Sequence, residues 1–309
     1  MSDHLTRAVE AAVADSSSVA TELAYAKINL ALHVLGRRTD GYHQLETLVT
    51  FADFADVVHA TPSDDARMHL TVKGPFAGVL SEGTPAGSNL VIRAAGELHQ
   101  LAKRAPPLRL TLNKRIPVAS GLGGGSADAA ATLRLLTREW KLPASEEELV
   151  RIGQRLGADV PMCLQSRPLI ARGIGEKITP LAGLPALPVV IAVPSVAIRT
   201  AEVFAKLAAG ERTPLPALPA RFGTVYEVVF WLRQSRNDLS EPAEAVSKLA
   251  GSAARAIGRD PECLFSRMSG SGAAAFGIFL SREAAERAAE RLKQAKPSWF
   301  VTAATTRAA

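Results

Sequence analysis

The chain has 309 residues, 47% hydrophobic and 21% charged, which is length for about two domains of roughly 150 residues and enough apolar side chain for a sizeable core. Disorder throughout and a lone peptide module are thereby excluded. The net charge of +6 comes from 36 Lys and Arg dispersed among 30 Asp and Glu, in basic runs no longer than pairs such as Arg37-Arg38 and Lys114-Arg115. That pattern is no nucleic-acid arm; it suits small polyanions such as nucleotides, or plain solubility.

Met1 to Ala20 carries Asp3, Glu10 and Asp15 and lacks an apolar stretch, so it reads as a flexible extension (residues 1–22) and not as a secretory signal. From about Leu23 the chain is apolar, with Ile28, Leu30, Leu32 and Val34 alternating against Asn29, Ala31 and His33, which predicts a strand with one buried face. Asp40-Gly41 is a turn, and Leu45 to Val58 is a second strand. Asn89 to Leu101 suits a helix, and Leu108, Leu110 and Leu112 alternate as a strand after Pro106-Pro107. Beyond Ser126, the residues Ala129, Leu133, Leu136 and Trp140 mark one face of a helix. Ser145 with Glu148 three residues on is a capping box for the next helix, which stops at Gly157.

Leu181 to Ile198 is long and uncharged, but Pro185, Pro188 and Pro194 interrupt it. Val189 to Val193 is therefore a buried strand, Pro180 to Pro188 a lobe junction, and no membrane partner is expected. Ala274 to Leu280 is a further strand, with helices near Ala201 to Leu207 and Glu283 to Leu292. The result is an α+β protein of two lobes, divided as 23–182 and 183–309. Cys163 and Cys263 are far apart and outside any C-x-x-C pair, so reduced thiols in the cytoplasm are the default. The six histidines form no ligand spacing, and no protein metal site is expected.

The most informative segment is Pro117-Val118-Ala119-Ser120-Gly121-Leu122-Gly123-Gly124-Gly125-Ser126-Ala127, a glycine loop between a strand and a helix. Glycines let backbone N–H groups turn toward a ligand, and the first turn of a helix adds unpaired N–H groups at the positive dipole end, so a polyphosphate is well held there. It is not a Walker A sequence, because no Lys-Ser or Lys-Thr follows the glycines. Ser269-Gly270-Ser271-Gly272 leads into a strand, so it is a hairpin turn or a loop closing on substrate. Lys27, within an apolar strand, is an edge lysine or a functional one. Asp159, after the Gly157 stop, is the N-cap of a short helix or a functional carboxylate. Tyr42-His43 covers the core or stacks on a ligand.

Taken in order, Ala26-Lys27-Ile28-Asn29-Leu30, Arg38-Thr39-Asp40-Gly41-Tyr42-His43, the Pro117–Ser126 loop, Leu156-Gly157-Ala158-Asp159-Val160-Pro161 and Met268-Ser269-Gly270-Ser271-Gly272 resemble the GHMP kinases, and among them the branch acting on a cytidyl-linked methylerythritol. The resemblance runs from about Leu23 to Leu292. It implies an N-terminal lobe like domain 2 of ribosomal protein S5, a ferredoxin-like C-terminal lobe, and small-molecule substrates in the cleft between. It also implies ATP-dependent phosphorylation of the tertiary 2-hydroxyl, with Mg2+ bridging the phosphates, on the non-mevalonate route to isoprenoid precursors. By position Asp159 is then the catalytic base and Lys27 its partner. Pro117 to Ala127, bordered by Asn89 and Lys114, holds ATP, while Asn29, Tyr42, His43, Thr200 and Phe204 hold the cytidyl substrate. Two departures stand out: Ala127 where relatives carry a second serine, and Tyr25 where proline is common. Asp128, in the first helical turn, either approaches the metal through water or serves the helix dipole.

Overall fold

The computed structural model describes residues 19–308 apart from 66–67, 82–85, 103–104, 209 and 211–212. The expected extension therefore lies outside the described residues as far as residue 18. The first strand, β1 (Ala20–Arg37), begins three residues ahead of the expected start. It pairs antiparallel along the whole of β2 (His43–Pro62). The turn between them is closed by Arg38 N donating to Tyr42 O at 2.7 Å, with Gly41 at φ +88°, a conformation that glycine adopts without a Cβ clash.

β3 (His69–Lys73), α1 (Ala77–Ser81) and α2 (Leu90–Leu101) follow, then β4 (Leu108–Asn113), α3 (Gly124–Glu139), α4 (Glu146–Leu156), α5 (Val160–Gln165), β5 (Leu169–Gly173) and β6 (Lys177–Pro180). The far edge of β2 is shared: Val57–Pro62 pairs with β4 and Leu45–Val49 with β5. Leu108, Leu110 and Leu112 are buried, as their alternation predicts. The Ser145 capping box forms, with Glu148 N donating to Ser145 Oγ at 3.2 Å and Ser145 N to Glu148 Oε2 at 2.9 Å. α3 starts at Gly124, earlier than expected, so the last glycines of the loop are themselves the first helical turn.

The second lobe contains β7 (Pro188–Val193), α6 (Thr200–Ala205), α7 (Val225–Gln234), α8 (Ser240–Val246), α9 (Ser252–Gly258), β8 (Phe265–Met268), β9 (Ala275–Ile278), α10 (Arg282–Ala295) and β10 (Phe300–Thr305). Its antiparallel sheet has the order β10-β7-β9-β8, and with α9 and α10 on one face it makes the β-α-β-β-α-β arrangement of a ferredoxin-like unit. α7 has no counterpart in the sequence reading, because Val225, Tyr226, Val228, Val229 and Phe230 have strand-like composition. The Thr224 cap and burial of Val228, Trp231 and Leu232 decide for helix.

The single-buried-face expectation for β1 does not hold, since Ala26 to Val34 are all buried. Around β1 and β2, Ala24, Val49 and Phe51 pack with the buried faces of α2 and α3. Ala26, Ile28 and Leu30 instead join Ile191, Phe276 and Ile278 of the second lobe. β1 is thus the wall between two cores, and each fully buried Ile or Leu there stabilises by about 1.5–3 kcal/mol. The polar residues of the other phase, Lys27, Asn29 and His33, are buried because they have partners, not because they are apolar.

Candidate active-site cleft

A cleft of about 1180 Å³ opens between β1, the glycine loop, the 41–43 turn, α6 and the β8–β9 hairpin, so both lobes line it. Lys27, Ile28 and Asn29 lie between two register shifts of the β1–β2 pairing, one at Tyr25/Lys27 and one at Asn29/Ala31. Such irregularities re-aim side chains, and here Lys27 and Asn29 both border the cleft. Lys27 Nζ donates to Asn29 Oδ1 at 2.7 Å and stands 3.3 Å from Asp159 Oδ2. Lys27 N donates to Leu122 O at 2.9 Å, which ties the strand to the glycine loop. Asp159 does precede α5, but its side chain makes no capping hydrogen bond. It faces Lys27 and remains 40% exposed, open to the cleft.

The glycine loop needs its glycines for space as well as for backbone angles. Gly121, at φ +87°, lies so close to the hairpin that a Cβ there would meet Gly272 O at 2.6 Å. At Gly123, φ +65°, a Cβ would press on the Lys27 chain at 3.1 Å, and at Gly124 it would meet Lys114 Nζ at 2.9 Å and Ile116 Cγ2 at 3.2 Å. α3 has no side-chain cap, and its first intrahelical bond runs from Ala127 N to Gly123 O at 2.8 Å. The N–H groups of Gly124, Gly125 and Ser126 therefore have no partner within the helix, at its positive end.

Of the residues expected at ATP, Asn89, Lys114, Pro117, Val118, Ala119, Ser120, Gly121, Gly123, Gly124, Gly125 and Ser126 border the cleft. Two do not. Leu122 is 1% exposed and packs in the inter-lobe core, and Ala127 is 2% exposed in the first-lobe core with its N–H already spent within the helix. Asn89 caps α2, its Oδ1 accepting from Val91 N at 2.9 Å.

Lys114 is buried between two carboxylates, 2.5 Å from Asp56 Oδ2 and 2.7 Å from Asp128 Oδ2. Burial pulls its ammonium down, but Asp128 and Asp56 more than offset this and its pKa is raised. Burial pushes the Asp128 carboxyl up, against the attraction of Lys114. Asp128 Oδ1 is buried with no hydrogen-bond partner at the edge of the cleft. Asp56 Oδ1 also accepts from Arg115 N and Ile116 N, so one carboxylate anchors the entry to the glycine loop. Sequence reasoning missed Asp56, although a lone aspartate inside Phe54-Ala55-Asp56-Val57-Val58 is a usable signal.

From the second lobe, Thr200 Oγ1 lies 2.9 Å from Ser271 Oγ. Phe204 stacks on His43, with ring centroids 5.1 Å apart and planes 30° apart. Burial and the charge of Arg37 lower the His43 pKa. Tyr42 borders the same end of the cleft and is 62% exposed, so it does not cover the core. The Ser269–Gly272 segment joins the hairpin β8–β9 and borders the cleft through Gly270, Ser271 and Gly272. Ser269 Oγ accepts from Asn29 N at 3.0 Å, and Ala274 N donates to Ser120 O at 2.8 Å. Among the described residues no group of three possible His, Cys, Asp or Glu metal ligands occurs.

Residues 89–167 match the GHMP kinases N terminal domain and residues 232–298 the GHMP kinases C terminal family. A 4-diphosphocytidyl-2-C-methyl-D-erythritol kinase of Chelativorans sp. is 46% identical over 93% of this chain and 96% of its own length. One of Rhizobium johnstonii is 48% identical over 94% of both. A crystal structure of 4-(cytidine 5'-diphospho)-2C-methyl-D-erythritol kinase superposes with a TM-score of 0.76 at 32% identity, covering 94% of this chain and all of the other. A homoserine kinase of Cytophaga hutchinsonii, 17% identical with a TM-score of 0.66 over 94% of this chain and 95% of its own, shares the fold.

Proposed function

The chain belongs to the 4-diphosphocytidyl-2-C-methyl-D-erythritol kinase family of the GHMP kinases, and from that membership and the cleft we propose how it works. It is a small-molecule kinase that phosphorylates the 2-hydroxyl of 4-diphosphocytidyl-2-C-methyl-D-erythritol, with ATP as co-substrate, in isoprenoid precursor biosynthesis. The lobes divide at 182/183, between β6 and β7, with both substrates in the cleft they share.

The observation that carries the assignment of roles is the Lys27–Asp159 pair, 3.3 Å apart beside the glycine loop. A tertiary alcohol is hindered and a poor nucleophile, so the transfer needs a positioned proton acceptor and a cation to offset developing charge. Asp159, held toward Lys27 and open to the cleft, takes the proton of the 2-hydroxyl as its oxygen attacks the γ-phosphorus of ATP. Lys27 holds that carboxylate in place, and its ammonium neutralises charge on the transferring group. The unpaired N–H groups of Gly124, Gly125 and Ser126 hold the phosphates at the start of α3, with Lys114 beneath them. Tyr42, His43 and Phe204 take the cytosine end, and Thr200 and Asn29 the polar groups nearer the reacting centre.

Magnesium fits this cleft. The ion takes most of its six oxygens from phosphates and water and needs one or two carboxylates, and the buried Asp128 Oδ1 is an oxygen without a partner beside the phosphate loop. Asp128 would hold it, and bound there it would neutralise the β- and γ-phosphate oxygens. The proposed compartment is the cytoplasm, supported by the free Cys163 and Cys263. No helix among the described residues is long and apolar enough to cross a membrane.

The deciding experiment measures ADP release from ATP with the cytidyl erythritol, homoserine, mevalonate and galactose offered separately. Turnover is expected with the first alone. Faster turnover with any of the others overturns the substrate assignment.

A further inference from the structure

Behind the Lys27–Asp159 pair lies a chain of three hydrogen bonds that ends on a residue with no evident motif. Lys27 Nζ donates to Asn29 Oδ1 at 2.7 Å, Asn29 Nδ2 donates to Thr47 Oγ1 at 2.8 Å, and Thr47 Oγ1 donates to Ala31 O at 2.7 Å. All three side chains are at most 4% exposed, so water does not substitute for a missing partner. Thr47 comes from β2 and reaches across the hairpin next to the Asn29/Ala31 register shift, which brings the Ala31 carbonyl and the Asn29 amide to the same hydroxyl.

A hydroxyl has one proton. The Ala31 carbonyl can only accept, so it takes the proton of Thr47, and the Thr47 oxygen is left as an acceptor toward Asn29. An amide satisfies an acceptor only with its NH2 end. The Asn29 NH2 must therefore face Thr47, and its carbonyl oxygen must face Lys27. Turned over, the same amide would present N–H groups to an ammonium, a repulsion in a buried site, and would leave two oxygens opposed at Thr47. We propose that Thr47 is a positioning residue: by giving its only proton to Ala31 it fixes the orientation of Asn29, which in turn holds the Lys27 ammonium within reach of Asp159. The inference rests on the catalytic reading of Lys27 and Asp159 and adds a residue at the cleft wall that acts on Lys27 through Asn29.

Thr47→Val keeps the shape of the side chain and removes the acceptor, while Thr47→Ser keeps both hydrogen bonds. Thr47→Val is expected to lower kcat about ten-fold or more at saturating substrates, because Lys27 loses its fixed place. Thr47→Ser should restore kcat, a rescue that follows the hydrogen bonds and not the packing of a γ-methyl group. Wild-type kcat in Thr47→Val, or a serine variant as impaired as the valine one, overturns the proposal. If Thr47→Val does not fold, neutron diffraction of the wild-type protein decides instead: a deuteron on Thr47 Oγ1 directed at Ala31 O supports the proposal, and one directed at Asn29 overturns it. The catalytic reading fails separately, through Asp159→Asn or Lys27→Met retaining turnover, whereas loss of activity in those two with an unaffected Thr47→Val removes only the role of Thr47.

Discussion

Lys27 and Asp159 are 132 positions apart in the chain and 3.3 Å apart in the fold, one at the centre of the first strand and the other on the corner between two helices. The corner is tight: Val160 N donates to Gly157 O at 3.1 Å, so α5 starts at once and its first turn needs nothing from the Asp159 side chain. That separation of backbone role from side-chain role makes the pair testable. Asp159→Asn keeps the shape and removes the proton acceptor, so kcat should fall by ~10²- to 10⁴-fold while both substrates still bind. The melting temperature should stay near that of the wild type. A large stability loss with turnover intact would return Asp159 to a helix-capping role.

Gly124 yields a second prediction. Its missing Cβ makes room for Lys114 Nζ and Ile116, so Gly124→Val forces the first turn of α3 away from the lysine beneath it. The N–H groups that hold phosphate move with that turn. Titration calorimetry should show ATP binding weakened at least ten-fold and cytidyl-substrate binding nearly unchanged, on the scale of a ligand's lost hydrogen bonds to charge. Equal weakening of both ligands would mean that the loop does not serve the nucleotide.

These two sites were legible in the sequence for different reasons. The glycine loop announces itself because its spacing is local, and a strand, a run of glycines and a helix occur in succession. Lys27 and Asp159 are legible singly, as a charge in an apolar strand and a carboxylate after a helix stop, but their meeting depends on α3 bringing α5 against β1. Asp56 is legible only as a charge inside an apolar strand and Thr47 not at all, since their roles come from cross-strand register and from backbone groups that carry no sequence mark. The double burial of β1 is hidden likewise: alternation indicates the apolar phase, which packs on the second lobe through Ile28 and Leu30, and it cannot indicate that Lys27, Asn29 and His33 of the other phase find buried partners.

His33 supplies a pH dependence of stability. Its Nδ1–H donates to Thr213 O at 3.0 Å and its Nε2 accepts from Arg236 N at 3.0 Å, which requires the neutral ring. Burial lowers its pKa, and the Arg236 charge adds to this against the pull of Asp238. Between that lowered value and the ordinary 6.5, the unfolded chain binds the proton and the folded one does not, so this contribution to stability is lost as pH falls below 6.5. His33→Gln, whose oxygen can still accept from Arg236 N, removes the titration. The difference in melting temperature between wild type and this variant should shrink or invert from pH 7 to pH 5. A difference that stays constant across that range would assign the effect to other groups.

The cytosine end of the cleft separates binding from folding most cleanly. Among the aromatic residues expected at the substrate, His43 and Phe204 stack with 5.1 Å between centroids, and Tyr42 is 62% exposed at the same end of the cleft. A flat base entering there has the Phe204 face available only where His43 yields it, while the Tyr42 face is open from the outset. Stacking on an aromatic face is worth ~1–3 kcal/mol per base in nucleic-acid systems, which makes about ten-fold in affinity a reasonable scale for each ring. Tyr42→Ala and Phe204→Ala should each raise the KM for the cytidyl substrate by about that factor and leave the KM for ATP unchanged. Their effects on folding should differ: an exposed Tyr42 has little packing to lose, whereas the half-buried Phe204 gives up contacts with His43 and its own apolar neighbours. The ratio of the two KM effects then tells which ring carries the base. If Phe204→Ala lowers the melting temperature and spares the KM while Tyr42→Ala raises the KM alone, the base lies on Tyr42 and the His43–Phe204 stack is the wall behind it. If neither substitution moves the KM, cytosine is held by hydrogen bonds at its edge and both rings leave the site.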